Sequence, residues 1–136
     1  MARDDRVLRG WLVALGVYHL ALGLLMALSP GTFFDKIGPF GHRNDHYIRD
    51  VSTFYFALGV VTLMAVRRPS WRVPVLAFAA LEYSIHALNH LVDIGDADPS
   101  ALGPFDFVSI TIVAGILVWL LGRAARERRA GRIESR

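Results

Sequence analysis

The chain has no cysteine among its 136 residues. That excludes disulfide staples, thiol redox chemistry and Cys-based zinc or iron–sulfur sites, and it leaves the redox compartment unmarked. Neither G-x-x-x-x-G-K-[ST] nor G-x-G-x-x-G occurs, so both phosphate-cradling loops are missing. The His-Glu-x-x-His pattern of zinc peptidases is missing too. No internal repeat stands out. Charge is sparse at 20%, against about 25% in ordinary soluble domains, while apolar residues reach 54% against about 45–50%. A sequence pI near 9.8 raises nucleic acid as a partner. The placement of the basic residues argues against nucleic acid, because they lie where membrane topology puts them.

The apolar excess is gathered into four blocks, residues 7–28, 47–66, 73–94 and 105–121. A hydrocarbon core about 30 Å thick needs roughly 20 helical residues, within about 17–25. The first three blocks fit, and the fourth sits at the lower limit. Core helices of a soluble bundle carry polar outer faces at period 3.6, but the first and fourth blocks are apolar all round. The expected fold is therefore all-α, a four-transmembrane-helix up-down bundle. The first block has a basic flank, and Ala27-Leu28-Ser29 resembles a signal-peptide cleavage site. Its apolar run is longer than the about 7–15 residues of a signal-peptide core, so a retained helix is expected.

The arginines orient the bundle. Arg3, Arg6 and Arg9 precede the first block, Arg67, Arg68 and Arg72 lie between the second and third, and Arg123, Arg126, Arg128, Arg129, Arg132 and Arg136 follow the fourth. The other side holds Lys36, Arg43 and Arg49 with the acids Asp35, Asp45, Asp50, Asp93, Asp96, Asp98 and Asp106. The positive-inside rule then predicts both termini and the short middle loop in the cytoplasm. The expected division is a membrane domain over 1–122 and a basic cytoplasmic tail over 123–136. The tail reads first as a topology anchor continuing the last helix into water, and second as a contact for anionic lipid or a partner.

The outer loops differ in character. In residues 29–46, Pro30-Gly31 breaks the first helix and Gly38-Pro39-Phe40-Gly41 signals a turn. Between them, residues 32–37 are expected to form a short interfacial turn, with Phe33, Phe34 and Phe40 in the headgroup region. Residues 95–104 form an acidic loop, and Asp106 is expected in the first turn of the last helix, where a carboxylate suits the helix dipole.

The stretch 81–93 concentrates the polar residues of the third block. Glu82, His86, Asn89 and Asp93 share one helical face, with His90 about 80° off that stripe. Glu82 falls near the bilayer centre, His86 about 6 Å further out and His90 about 12 Å. Ionisable groups are costly in hydrocarbon, so such a stripe marks a site or a buried polar contact. If polar faces turn inward, His19, Arg49, Glu82, His86, Asn89, His90 and Asp93 line a pocket open to the outside. Three chemistries suit it. His86 and His90 at i, i+4 can share a transition metal, with Glu82 or His19 as a further ligand. Glu82 and His86 can form an acid–base couple. Histidines facing the bundle can also ligate haem or hydrogen-bond a quinone carbonyl, with His19, Arg49, Asn89 and Asp93 as further binding residues.

Each of these residues also has a purely structural reading. His86 and His90 can serve packing alone, and Glu82 can bond His19 or a tyrosine. Arg49 with Asp50 can be an interfacial ion pair. Trp11, Trp71, Trp119, Tyr18, Tyr47 and Tyr55 read as interface belt or packing residues. Gly16, Gly23, Gly59 and Gly115 read as positions of close helix contact.

The Asn-x4-Arg-Asp start of the second block (Asn44, Arg49, Asp50), the Leu58-Gly59 step and the Arg67-Arg68-Pro69 break, in a chain of four short helices, form a pattern. It resembles the DoxX-like group of small four-helix bacterial membrane proteins over residues 7–121. Some of that group are associated with quinone-linked redox systems, so the resemblance implies a lipid-soluble ligand. Glu82, His86 and His90 have no counterpart in the pattern, and no site residue is carried over from it. Three functions stay open. The first is a metal-, haem- or quinone-binding membrane protein or a subunit of a membrane system, with a membrane-protein partner or a second copy. The second is an acid–base enzyme on a lipid-like substrate, and the third a structural assembly subunit.

Overall fold

The computed structural model describes residues 2–134, with side chains described over 5–130. Helices account for nearly all of it: α1 (Ala2–Leu28), α2 (Pro30–Lys36), α3 (Asp45–Arg67), α4 (Pro69–Val92) and α5 (Leu102–Glu134). Four spans, Asp5–Leu28, Asp45–Arg67, Pro69–Val92 and Leu102–Ala130, are long and apolar enough to cross a membrane. The protein is thus a four-helix bundle of the multi-pass membrane type. Side chains such as Leu81, Ile85 and Leu88 on α4 and Val108, Ile112 and Val118 on α5 are exposed. That outward apolar surface suits contact with acyl chains rather than water.

Local chemistry sets the breaks. Prolines begin α2 and α4, where a missing N–H costs nothing. The Asn44 side chain caps α3 by accepting the Tyr47 N–H at 3.1 Å. Just before it, Arg43 grips Asp45 through two bonds of 2.6 and 3.0 Å, and that contact raises the guanidinium pKa further. The last helix starts at Leu102 rather than at Phe105, so Asp106 sits beyond the first turn and not at the dipole position expected for it. The helix also runs on through the basic segment as far as Glu134. Within that segment Arg123 lies over the Trp119 ring, 5.1 Å from its centre. Arg136 and the side chains of Arg3 and Arg132 lie outside the described residues.

The helices pair α1 with α3 and α4 with α5, and the pairs join chiefly through α3 and α4. Leu8, Leu12, Leu76, Leu117 and Leu120 fill the shared core. The α1–α3 approach depends on missing side chains. A Cβ on Gly59 would lie 2.9 Å from the Leu20 nitrogen and 3.0 Å from the Gly16 carbonyl oxygen. On Gly23 it would lie 2.9 Å from the Phe56 nitrogen. Gly16, Gly23 and Gly59 thus make the close contact expected of them. Gly115 does not, since nothing stands within 4 Å of a Cβ built there.

One buried arginine fixes which ends lie together. Arg72 is 4% exposed. It reaches Asp5 at 2.7 Å, Glu127 at 3.4 Å and the Ala65 and Val66 carbonyls at 3.3 and 3.4 Å. The start of α1, the α3–α4 junction and the end portion of α5 therefore share one end of the bundle. The sequence places Arg72 with Arg67 and Arg68 in the loop between the second and third blocks. Instead α4 begins at Pro69, which carries Arg72 inside the helix and turns it into the bundle. At the opposite end the two long loops clasp each other. Phe40 and Ala97 form an antiparallel bridge, and the Asp98 N–H donates to the Pro39 carbonyl at 3.1 Å. Asp98–Pro99 is a cis peptide bond. Phe33 and Phe34 pack against Met26, Ile48 and Tyr55, so they face inward and not into the headgroup region.

Candidate functional site

The face of α4 that points into the bundle is written in its small and aromatic residues. Leu76, Ala80, Tyr83 and Ala87 recur at spacings of three and four and are all buried. That face brings Tyr83 against α1. There the His19 ring is 1% exposed and fully bonded. Its Nδ1 lies 2.7 Å from the Leu15 carbonyl, which can only accept, so Nδ1 carries the proton. Nε2 therefore accepts from the Tyr83 hydroxyl at 3.0 Å. Tyr55 stacks on the same imidazole at 6.1 Å, and the Tyr18 hydroxyl reaches that of Tyr83. Of the tyrosines read from sequence as belt or packing residues, Tyr55 is buried in this cluster, while Tyr18 borders it from the exposed surface of α1.

Glu82 sits beside that cluster, on the next position around the helix. It is within electrostatic reach of His19, Tyr18, Tyr55 and Tyr83. Its Oε1 lies 3.6 Å from His86 Nδ1, with the two side chains 22% and 32% exposed. One turn further, His86 Nε2 and His90 Nε2 are 3.1 Å apart, so one ring donates its N–H to the other. Three titratable side chains thus form a single row along α4. Phe40, from the clasped loops, meets the His90 ring edge-on at 4.9 Å and covers its outer end. Asp106 of α5 lies within electrostatic reach of His86.

This row is not the stripe that the helical wheel favours. Asn89 and Asp93 are exposed, and only Asp93 retains an electrostatic link to the row, through His90. Each i, i+4 step drifts about 40° around the helix. The drift from Glu82 through His86 to His90 runs toward Asp106 and Phe40, and tertiary contact selects it. Arg49 is exposed at the start of α3. Among the described residues Asp50 pairs with His46 at 3.4 Å, not with Arg49. Of the residues expected to line one pocket, then, Glu82, His86 and His90 come together, with His19 one layer deeper. Arg49, Asn89 and Asp93 lie on the exposed surface.

The row is poor in bonds for its burial. Glu82 Oε2, His86 Nδ1, His90 Nδ1 and Asp106 Oδ2 are shielded from solvent and have no hydrogen-bond partner. Such atoms are costly unless something meets them. Among the described residues no three His, Asp or Glu side chains converge as a metal-ion site. The arrangement suits hydrogen bonding and proton exchange: His90 to His86 to Glu82, from the loop-covered end inward.

Tyr83, which has no assigned role at the level of sequence, joins the site, as do Asp106 and Phe40, expected at the helix dipole and in the headgroup region. Tyr83 was legible from the three-four spacing of the buried α4 face. Asp106 and Phe40 come from distant segments, and no local signal joins them to the row. No curated protein and no solved structure matches the chain. Residues 7–121 match the family described as a domain of unknown function (DUF4345), a match that takes in the second and third membrane spans and most of the first and last, and the protein belongs to that family.

Proposed function

We propose that the Glu82–His86–His90 row binds the polar head of a lipid-soluble ligand of the quinone class. The observation that carries this reading is the row itself, three titratable groups spaced 3.6 and 3.1 Å on a membrane-spanning helix, with solvent-shielded atoms that lack partners. A quinone carbonyl accepts a hydrogen bond from an imidazole N–H, and its reduced form donates to a carboxylate. Both complement the unpaired atoms. The resemblance to DoxX-like proteins points to the same ligand class. The row lies toward the clasped-loop end of the bundle, where Phe40 meets His90, and in a bacterial inner membrane with both termini cytoplasmic that end would face outward. The ligand's ring would enter laterally from the bilayer beside α4 and α5.

Titration of the purified protein in nanodiscs with decylubiquinone, read by quenching of tryptophan fluorescence, tests this. His86→Ala should weaken binding about tenfold, the loss of roughly one hydrogen bond. Glu82→Gln should keep binding of the oxidised quinone and weaken binding of the reduced quinol, whose hydroxyl donates to the carboxylate. Equal affinity in the wild type and in a folded His86→Ala variant would contradict the proposal. It would leave the row with a structural role in holding α4 to α5.

A further inference from the structure

The arginine-rich end carries more positive charge than its own acids can meet. By sequence, every arginine except Arg43 and Arg49 lies in the segments at this end, against the acids Asp4, Asp5, Glu127 and Glu134. Asp5 and Glu127 are spent on the buried Arg72, and Asp5 also holds Arg9 at 2.8 Å. Arg67, Arg68, Arg126, Arg128 and Arg129 remain exposed, and among the described residues none of them has an acidic partner. They come from two segments that the fold sets side by side. Arg67 and Arg68 join α3 to α4, and Arg128 of α5 lines the same cleft as Pro69 and Ser70, the next two residues of that junction. Like charges crowded onto one end repel each other unless counter-charge gathers there.

The tryptophans mark where that charge meets the bilayer. Trp11, Trp71 and Trp119 are exposed, and each lies in the half of its span nearer the arginines. Indole rings favour the headgroup boundary. The second span stops at Arg67 and the third starts at Pro69, so the exposed arginines of that junction and of α5 stand at the depth of lipid phosphates. We propose that this end gathers anionic phospholipid of the phosphatidylglycerol class around it. A guanidinium meets a phosphate through two parallel N–H donors. The phosphate of phosphatidylglycerol has no ammonium of its own to compete for it, whereas phosphatidylcholine and phosphatidylethanolamine each carry one. The bilayer holds these phosphates beside the arginines already, which favours lipid over a soluble acidic partner.

The chain has no tryptophan besides these three, so its own fluorescence reports the lipid beside this end. The test places the full-length protein in nanodiscs of phosphatidylcholine that contain the same minor share of brominated phosphatidylglycerol or brominated phosphatidylcholine, whose bromines quench indole on contact. Phosphatidylglycerol should quench as though enriched about fivefold, the effect of roughly one arginine at an anionic surface. Added salt should shrink the excess, and Arg128→Gln with Arg129→Gln should reduce it. A reporter at the other end, Tyr47→Trp in a chain with Trp11→Phe, Trp71→Phe and Trp119→Phe, should show no excess. If either altered chain fails to fold, the comparison of the two lipids on the wild type still decides. Equal quenching by the two lipids, an unchanged excess in the folded Arg128→Gln, Arg129→Gln chain, or the same excess at the Tyr47→Trp reporter would overturn the proposal.

Discussion

At the scale of single residues, the buried bonds of this bundle are few and specific. His19 is the clearest case. Its imidazole is enclosed by α1, α3 and α4 side chains, and both ring nitrogens are satisfied, one by its own helix and one by Tyr83. Tyr83→Phe leaves the ring in place and strips Nε2 of its donor. A buried acceptor without a partner costs about 1–3 kcal/mol. The variant should therefore unfold at lower temperature in detergent, by several degrees, while Tyr47→Phe on the exposed side of α3 leaves the midpoint unchanged. An unchanged midpoint for Tyr83→Phe would show that His19 is not held by this bond. The histidine row has the opposite character, with two linked rings and four solvent-shielded atoms left open around them. That contrast separates a residue with every polar atom bonded from a group whose polar atoms lack partners.

At the scale of elements, small residues govern how helices meet. Gly59 and Gly115 are both mid-helix glycines, one against α1 and one facing open space. Gly59→Val should separate α1 from α3 and lower the unfolding midpoint sharply, whereas Gly115→Val should leave it within a degree or two of the parent. Equal effects would mean that the α1–α3 contact is not set by backbone approach. The sequence distinguished helix from loop well because span length and the Pro and Asn breaks are local. It marked Gly16, Gly23 and Gly59 as contact positions for the same reason that it marked Gly115: a glycine in an apolar run reads alike on either face. Only tertiary packing tells them apart. The α4 row shows the same limit. Periodicity places Glu82 and His86 on a common face, but whether Asn89 or His90 extends it depends on Asp106 and Phe40, which reach α4 from other segments.

At the scale of the whole molecule, the two ends are held by different means. One end is tied by the Arg72 knot and surrounded by arginines. The other is closed by two loops that clasp through Phe40, Ala97 and the Pro39–Asp98 bond. The charge difference predicts which end faces the cytoplasm. A chain without cysteine allows a direct check, since a single introduced thiol has no competitor. In intact cells a membrane-impermeant maleimide should label Asp96→Cys in the clasped loops and spare Arg129→Cys until the membrane is opened. The reverse pattern would invert the topology and place the histidine row on the cytoplasmic side. Up-down order was readable from four apolar runs and their flanking charge. The Arg72 knot was not, because an arginine near a helix start reads as solvated until its partners on α1 and α5 are placed.

The most direct test of the ligand-binding account is nitrogen-15 NMR of histidine-labelled protein in nanodiscs, recorded with and without decylubiquinone. The account predicts a through-hydrogen-bond coupling between the Nε2 atoms of His86 and His90, absent in His90→Ala, and a shift of both resonances on addition of the quinone while His19 stays fixed. Two uncoupled imidazoles that ignore the quinone would contradict it.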